Sequence, residues 1–278
     1  MALRLNPTRE AYREFYGRNT EQMPQLIADG RTPMSVAGLM QRRLDVRGSD
    51  KDVKASWMDN YFDLGDAIVY HPDGRVKVVL DSQTLREMTP ESLRNGGALV
   101  LTEGVYESLQ GEEFKKGKFG NTGNPMSKSD VKAHPVWKVL ARDQALLNCY
   151  TDVIFSEYQA RFAKDAKAKD LQLMGIYPGA CGGKTPEMRA WSVYGLGRSF
   201  GALGWYGVGG GYGRLVGIAP EALSVPGKSI ERIAVPAKKV LSVGQVLEET
   251  CQTSAYAPDQ IKKLQNILDE QGYVITLR

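Results

Sequence analysis

The run Pro178-Gly-Ala-Cys-Gly-Gly-Lys184-Thr185 falls one residue short of the spacing GxxxxGK[ST]. In that pattern backbone amides ring a phosphate, the lysine adds charge and the hydroxyl holds magnesium at a helix start. An apolar run, 171–177, precedes it as the pattern requires. Gly182, Gly183, Lys184 and Thr185 are therefore the candidate phosphate-holding residues. Three features oppose a true phosphate loop. Pro178 stands where the first glycine should be and removes an amide. Pro186 follows the threonine directly, and 188–194 alternates like a strand rather than coiling like a helix. A looser anion-binding turn and a plain glycine-rich hairpin turn are the remaining readings, and the hairpin turn is favoured.

A second cluster, Gly195 to Gly213, contains no intact GxGxxG. It places Arg198 and Arg214 on either side of Trp205, Tyr206 and Tyr212. Cations and aromatic rings on a flexible backbone suit a nucleotide, a single-stranded base or a sugar. They suit a subunit or partner contact nearly as well, because Trp, Tyr and Arg also dominate protein interfaces. Rings packing over the protein's own glycine-rich loop are the structural reading.

For proton chemistry the candidates are His134 and Asp143. His134 sits at the mouth of a predicted long helix, where an imidazole can act as acid or base, cap the helix or face water. Asp143 falls on that helix's apolar stripe, where a carboxylate must be paired, hydrogen-bonded or protonated. Cys181 lies near Lys184, which would lower a thiol's pKa, but no base is visible beside it. Cys149, Cys181 and Cys251 are odd in number and widely spaced, and only two histidines exist. That argues against a structural zinc site or a disulfide framework, so no metal ligands are assigned; a mononuclear metal held by carboxylates stays open, and the cofactor is unknown.

Fourteen of the 30 glycines lie between Gly175 and Gly217, so ordering this stretch must serve tight turns or close approach of backbone to something. The rest of the composition is ordinary: 42% hydrophobic, 24% charged and a net charge of +4 over 278 residues. Acids are interleaved with the lysines of 115–132 and 164–169, which disfavours a nucleic-acid groove. No run approaches the length of a membrane span, and the first ten residues lack the apolar core of a secretory signal. The expected location is cytoplasmic.

Proline after a capping residue predicts helix or turn starts at Asn6-Pro7, Thr32-Pro33 and Thr89-Pro90. The first would carry Tyr12, Phe15 and Tyr16 to a stop at Gly17. A β-hairpin is predicted over 67–81 around Pro72-Asp73-Gly74, and another strand or strand pair over 97–106. Residues 110–132 read as a long loop. One long helix is predicted over 135–162 from the stripe Val136, Leu140, Leu147, Tyr150, Ile154 and Tyr158. Strand-like runs follow at 214–219, 230–235 and 239–243, then a helix over 258–271 and a last strand over 273–277.

The expected fold class is α+β, with N-terminal helices and a β-hairpin, one long central helix, and a mainly antiparallel sheet from the C-terminal half. The expected organisation is 1–110, a loop at 111–133 and 134–278, or else a single domain. Two functions follow. The leading one is an enzyme acting on a nucleotide or other phosphorylated ligand through the glycine-rich loop. There Arg198 or Arg214 would add charge, and His134 or Asp143 would move protons. The alternative is a non-catalytic binding or assembly protein that uses 195–213 for self-association or a partner.

Overall fold

The computed structural model describes residues 3, 5, 11–115, 117–120, 122–164, 167, 170–197 and 200–223. The chain divides into units Met1–Lys228 and Ser229–Arg278, and every described residue lies in the first. Asn6-Pro7, Arg198, Cys251 and all the elements expected beyond 223 lie outside the described residues.

The chain opens with β1 (Tyr12–Gly17), α1 (Asn19–Ala28) and β2 (Thr32–Pro33). Next come α2 (Val36–Asp45), capped by the Ser35 hydroxyl, and α3 (Lys51–Met58), capped by the Asp50 carboxylate. β3 (Phe62–Tyr70) and β4 (Val76–Val79) form an antiparallel hairpin with Tyr70 opposite Val76. Short elements follow: α4 (Gln83–Arg86), β5 (Arg94–Asn95), β6 (Ala98–Val100), α5 (Glu103–Ser108) and β7 (Glu112–Phe114). A helical run holds α6 (Lys128–Ala133), α7 (Pro135–Ala141) and α8 (Gln144–Phe162). The described part closes with β8 (Gly175–Tyr177), β9 (Glu187–Val193), β10 (Gly201–Leu203) and β11 (Gly213–Ile218).

These strands make one eleven-stranded mixed sheet whose main path runs β1-β11-β3-β9-β10-β8. β3 and β9 form its antiparallel centre, and each has two partners on its far side. β3 meets β11 near Asp63 and β4 over 67–70. β9 meets β6 at Met188 and β10 at Ser192 and Val193. Every residue of β3 and β9 is buried, because helices cover both faces. On one face lie side chains of α2, α3, α7 and α8, including Leu39, Trp57, Trp137 and Tyr150. On the other lie Met23 and Leu26 of α1, Leu85 of α4 and Tyr106 of α5.

This arrangement corrects the expected α+β layout. β1 to β7 all precede residue 115, so the sheet is not built from the C-terminal half. It is also mixed, since β8 with β10 and β3 with β11 run parallel. Tyr12, Phe15 and Tyr16 sit on a strand, not a helix: β1 pairs with β11, burying Phe15 and exposing Tyr16. Residues 97–106 hold only β6 and then turn into α5, while the expected loop at 110–132 contains β7 and most of α6. The long helix is two, broken at Arg142, whose φ of 63° is left-handed. The expected hairpin turn at 178–186 is not one either, because β10 lies between β8 and β9.

Candidate recognition face

Four strand ends meet at one end of the sheet: the end of β1, the start of β11, the start of β3 and the end of β9. Tyr16, Arg214, Tyr61 and Tyr194 occupy those ends. The Arg214 guanidinium lies 5.3 Å from the Tyr16 ring and 4.9 Å from the Tyr61 ring. Tyr61 stacks on Tyr194 at 5.6 Å, Tyr194 approaches Tyr206 at 5.9 Å, and Tyr206 stacks on Trp205 at 4.4 Å. The Tyr194 and Tyr206 hydroxyls hydrogen-bond each other, and the Tyr61 hydroxyl donates to the Tyr212 carbonyl. The result is a run of contacting rings from Tyr61 through Tyr194 and Tyr206 to Trp205, joined to Tyr16 by Arg214 and to Tyr212 through its main-chain carbonyl. Its outward rings are open to solvent: Tyr16 is 50% exposed, Trp205 49%, Tyr206 39% and Tyr212 77%.

The loop carrying three of those rings is tied down along its length. The Gly204 amide donates to the Tyr177 carbonyl at 2.9 Å and the Val208 amide to the Gly97 carbonyl at 2.8 Å. Val208 itself is buried, and its carbonyl accepts from the Thr20 amide. At the far end the Arg214 amide donates to Asp63 at 2.9 Å. The glycines serve these crossings. A Cβ on Gly97 (φ 81°) would lie 2.8 Å from the Gly207 Cα, and one on Gly204 would lie 2.6 Å from the Tyr70 hydroxyl. Backbone here approaches the protein's own chain.

Beneath the rings the charges are compensated. Arg214 pairs with Glu14 at 2.8 Å and donates to the Asn60 side chain at 2.7 Å. Asp63 is fully enclosed, and burial pushes its carboxyl above the ordinary range despite donors from Arg214 and Asn19. Burial likewise raises the Tyr61 phenol against the pull of Arg214. Burial and then the Tyr206 hydroxyl raise Tyr194. Both hydroxyls stay protonated at neutral pH, so they offer neutral donors and acceptors.

The other sequence-selected residues are spread through the fold. His134 is buried between α6 and α7, where its Nδ1 accepts from the Val136 amide and caps α7. Asp143 is exposed and caps α8 through the Leu146 amide at 2.6 Å, so it is not on an apolar helix face. Lys184 and Thr185 are exposed on the β8–β9 connection. The Gly182 amide is already met at 2.9 Å by the chain's own carboxylate, Glu187. Cys181 has its thiol raised by burial and directed at the Gly183 and Thr185 carbonyls, which leaves it protonated. A cavity of about 320 Å³ is lined by Tyr70, His71, Arg75, Gly179 and Cys181 among others, and neither His134 nor Asp143 reaches it. Among the described residues no group of three or more His, Cys, Asp or Glu could hold a metal. Of the sequence-selected residues, Arg214 joins the aromatic face with Trp205, Tyr206 and Tyr212. Tyr16, Tyr61 and Tyr194 escaped sequence reasoning, because they lie far apart in the chain and only strand pairing brings them together.

No family model matches this chain, and no curated protein matches it. It is similar to a solved structure described as "Accommodation of massive sequence variation in Nanoarchaeota by the C-type lectin fold". Identity is 15% and the TM-score 0.55, over 77% of this chain and 100% of that one. The likeness is one of fold, the C-type lectin fold, and it replaces the expected layout in which the sheet came from the C-terminal half.

Proposed function

We propose that this chain is a non-catalytic binding protein that docks a partner protein on the face formed by Tyr16, Tyr61, Tyr194, Trp205, Tyr206 and Tyr212. The observation that carries this reading is the exposure of four aromatic rings, three of them on a loop whose backbone amides are hydrogen-bonded at both ends and in the middle. Tyr and Trp bring large contact area with few rotatable bonds, so a pre-set aromatic loop loses little entropy on binding. The internally paired charges favour an apolar, hydroxyl-bearing partner surface over a phosphate.

The neighbour's description supports the same reading, for it credits this fold with accommodating massive sequence variation. A scaffold with its core sealed on both sides of the sheet can carry changing residues at Tyr16, Trp205 or Tyr212 without losing its fold. Among the described residues no helix is long and apolar enough to cross a membrane. Cys149 and Cys181 are free thiols, and we extend the proposal to a reducing, cytoplasmic setting on that basis.

A thermal-shift screen against nucleotides and phosphorylated small molecules, with and without magnesium, separates this function from phosphate chemistry. A binding protein of this kind gives the same melting curve with every such ligand, and Lys184→Ala changes nothing. Stabilisation by a nucleotide that Lys184→Ala abolishes would overturn the proposal.

A further inference from the structure

Alternate residues Glu187 and Arg189 of β9 point their charged ends toward one side of the sheet, yet neither reaches solvent appreciably. Among the described residues Arg189 makes no ion pair. Its Nη1 donates instead to two main-chain carbonyls, Trp205 at 3.0 Å and Gly96 at 3.2 Å. Glu187 accepts from the Asn95 side chain at 2.7 Å and from the Gly182 amide at 2.9 Å. One strand thereby holds three segments that share no local sequence: the β5–β6 turn, the β8–β9 connection and the loop after β10.

We infer that Arg189 is a positioning residue for the recognition face, fixing Trp205 and the Tyr206 ring stacked on it by clamping the Trp205 and Gly96 carbonyls together. The inference rests on the binding function proposed above, but the geometry it concerns exists without any partner. A guanidinium suits the task because the two N–H groups of Nη1 are fixed in its plane, one for each carbonyl, whereas an ammonium is a single point charge on a flexible stem. Both carbonyls belong to segments that cross at Gly97 and Gly207, so releasing one loosens the other. Trp205 also packs its backbone on Gly179, where a Cβ would sit 3.2 Å from the Trp205 Cα. That third contact keeps the tryptophan from relocating while the clamp is intact.

The test uses the chain's own fluorescence. Trp57, Trp137 and Trp191 are fully buried and Trp205 is half exposed, so iodide quenches Trp205 selectively. Trp205→Phe serves as the control and must remove the quenchable component. In Arg189→Met and Arg189→Lys, iodide quenching of Trp205 is expected to rise and its emission to shift to the red, with far-ultraviolet circular dichroism unchanged. If the methionine variant does not fold, the lysine variant decides. Wild-type quenching in either folded variant overturns the inference. Raised quenching in a protein that shows no partner contact would leave the role of Arg189 standing and remove the binding function.

Discussion

The Arg43 guanidinium, sealed inside the helical layer, donates from Nη2 to the Tyr194 carbonyl at 3.0 Å. The same nitrogen reaches the Asn60 carbonyl at 2.9 Å, while Nε reaches Trp57 and Nη1 the Tyr150 hydroxyl. One buried cation thus joins α2, α3 and α8 to the ends of the two central strands, and supports Tyr61 and Tyr194 from behind. The aromatic face is anchored in the core at this point.

Arg43→Met should therefore destabilise the whole unit. It strands three carbonyls and a hydroxyl in the interior, and the expected loss is about 2–5 kcal/mol. Urea denaturation measures it. A loss below about 1 kcal/mol would mean that water replaces the guanidinium at no great cost.

The outward rings should behave in the opposite way. Tyr212→Ala changes stability by no more than about 0.5 kcal/mol, and Tyr16→Ala, which also gives up the Arg214 contact, by no more than about 1 kcal/mol. Trp137→Ala, made for comparison in the buried helical layer, is expected to cost about 3–5 kcal/mol. Comparable losses for the surface and core variants would show that the exposed rings hold the fold.

Gly97→Ala combines a left-handed backbone with a collision against Gly207. The backbone strain alone is about 1–3 kcal/mol, and the loop after β10 must also move. A lowered melting temperature together with altered Trp205 emission is expected. A normal melting curve would mean that the two turns do not cross as described.

His71 gives stability a pH dependence. Its Nδ1 lies 2.7 Å from Asp73, and its Nε2 lies 3.0 Å from Glu103 at the start of α5. Partial burial opposes the charged ring, but the Glu103 and Asp73 carboxylates outweigh it and hold the imidazole above its usual value. A raised folded-state pKa means the contribution is complete below the unfolded value of about 6.5 and fades as pH climbs through the folded value. Urea midpoints at pH 6 and pH 8 should differ more in the wild type than in His71→Asn. An equal difference in both proteins would assign the pH dependence elsewhere.

What the sequence revealed was mostly local. The hairpin at 67–81 showed itself through Pro72-Asp73-Gly74 between apolar runs, and α8 through its stripe from Leu147 to Ile154. Long-range pairing stayed hidden. Tyr12, Phe15 and Tyr16 fit a helical spacing, yet β11 supplies a strand partner some two hundred residues away. β9 alternates charged and apolar residues as a half-solvated strand would, but Glu187 and Arg189 are buried, with loop amides on the Glu187 carboxylate and loop carbonyls on the Arg189 Nη1. The glycines between 175 and 217 serve the fold itself, since at Gly97 with Gly207 and at Gly204 with Tyr70 they let the chain cross its own backbone and side chains. Trp205, Tyr206, Tyr212 and Arg214 were visible as a set, whereas their partners at Tyr16, Tyr61 and Tyr194 required the sheet.

The most direct test of the recognition face is a photo-crosslink from inside it. A benzophenone amino acid placed at Tyr212, in cells that make the protein, should yield a discrete protein adduct on irradiation. Trp205→Ala should diminish that adduct, and the same probe at Glu112, on an edge strand paired to the far end of the hairpin, should not form it. An adduct with a second copy of the chain would identify the partner as itself. No adduct from Tyr212, or the same adducts from Glu112, would contradict a binding face at this end of the sheet.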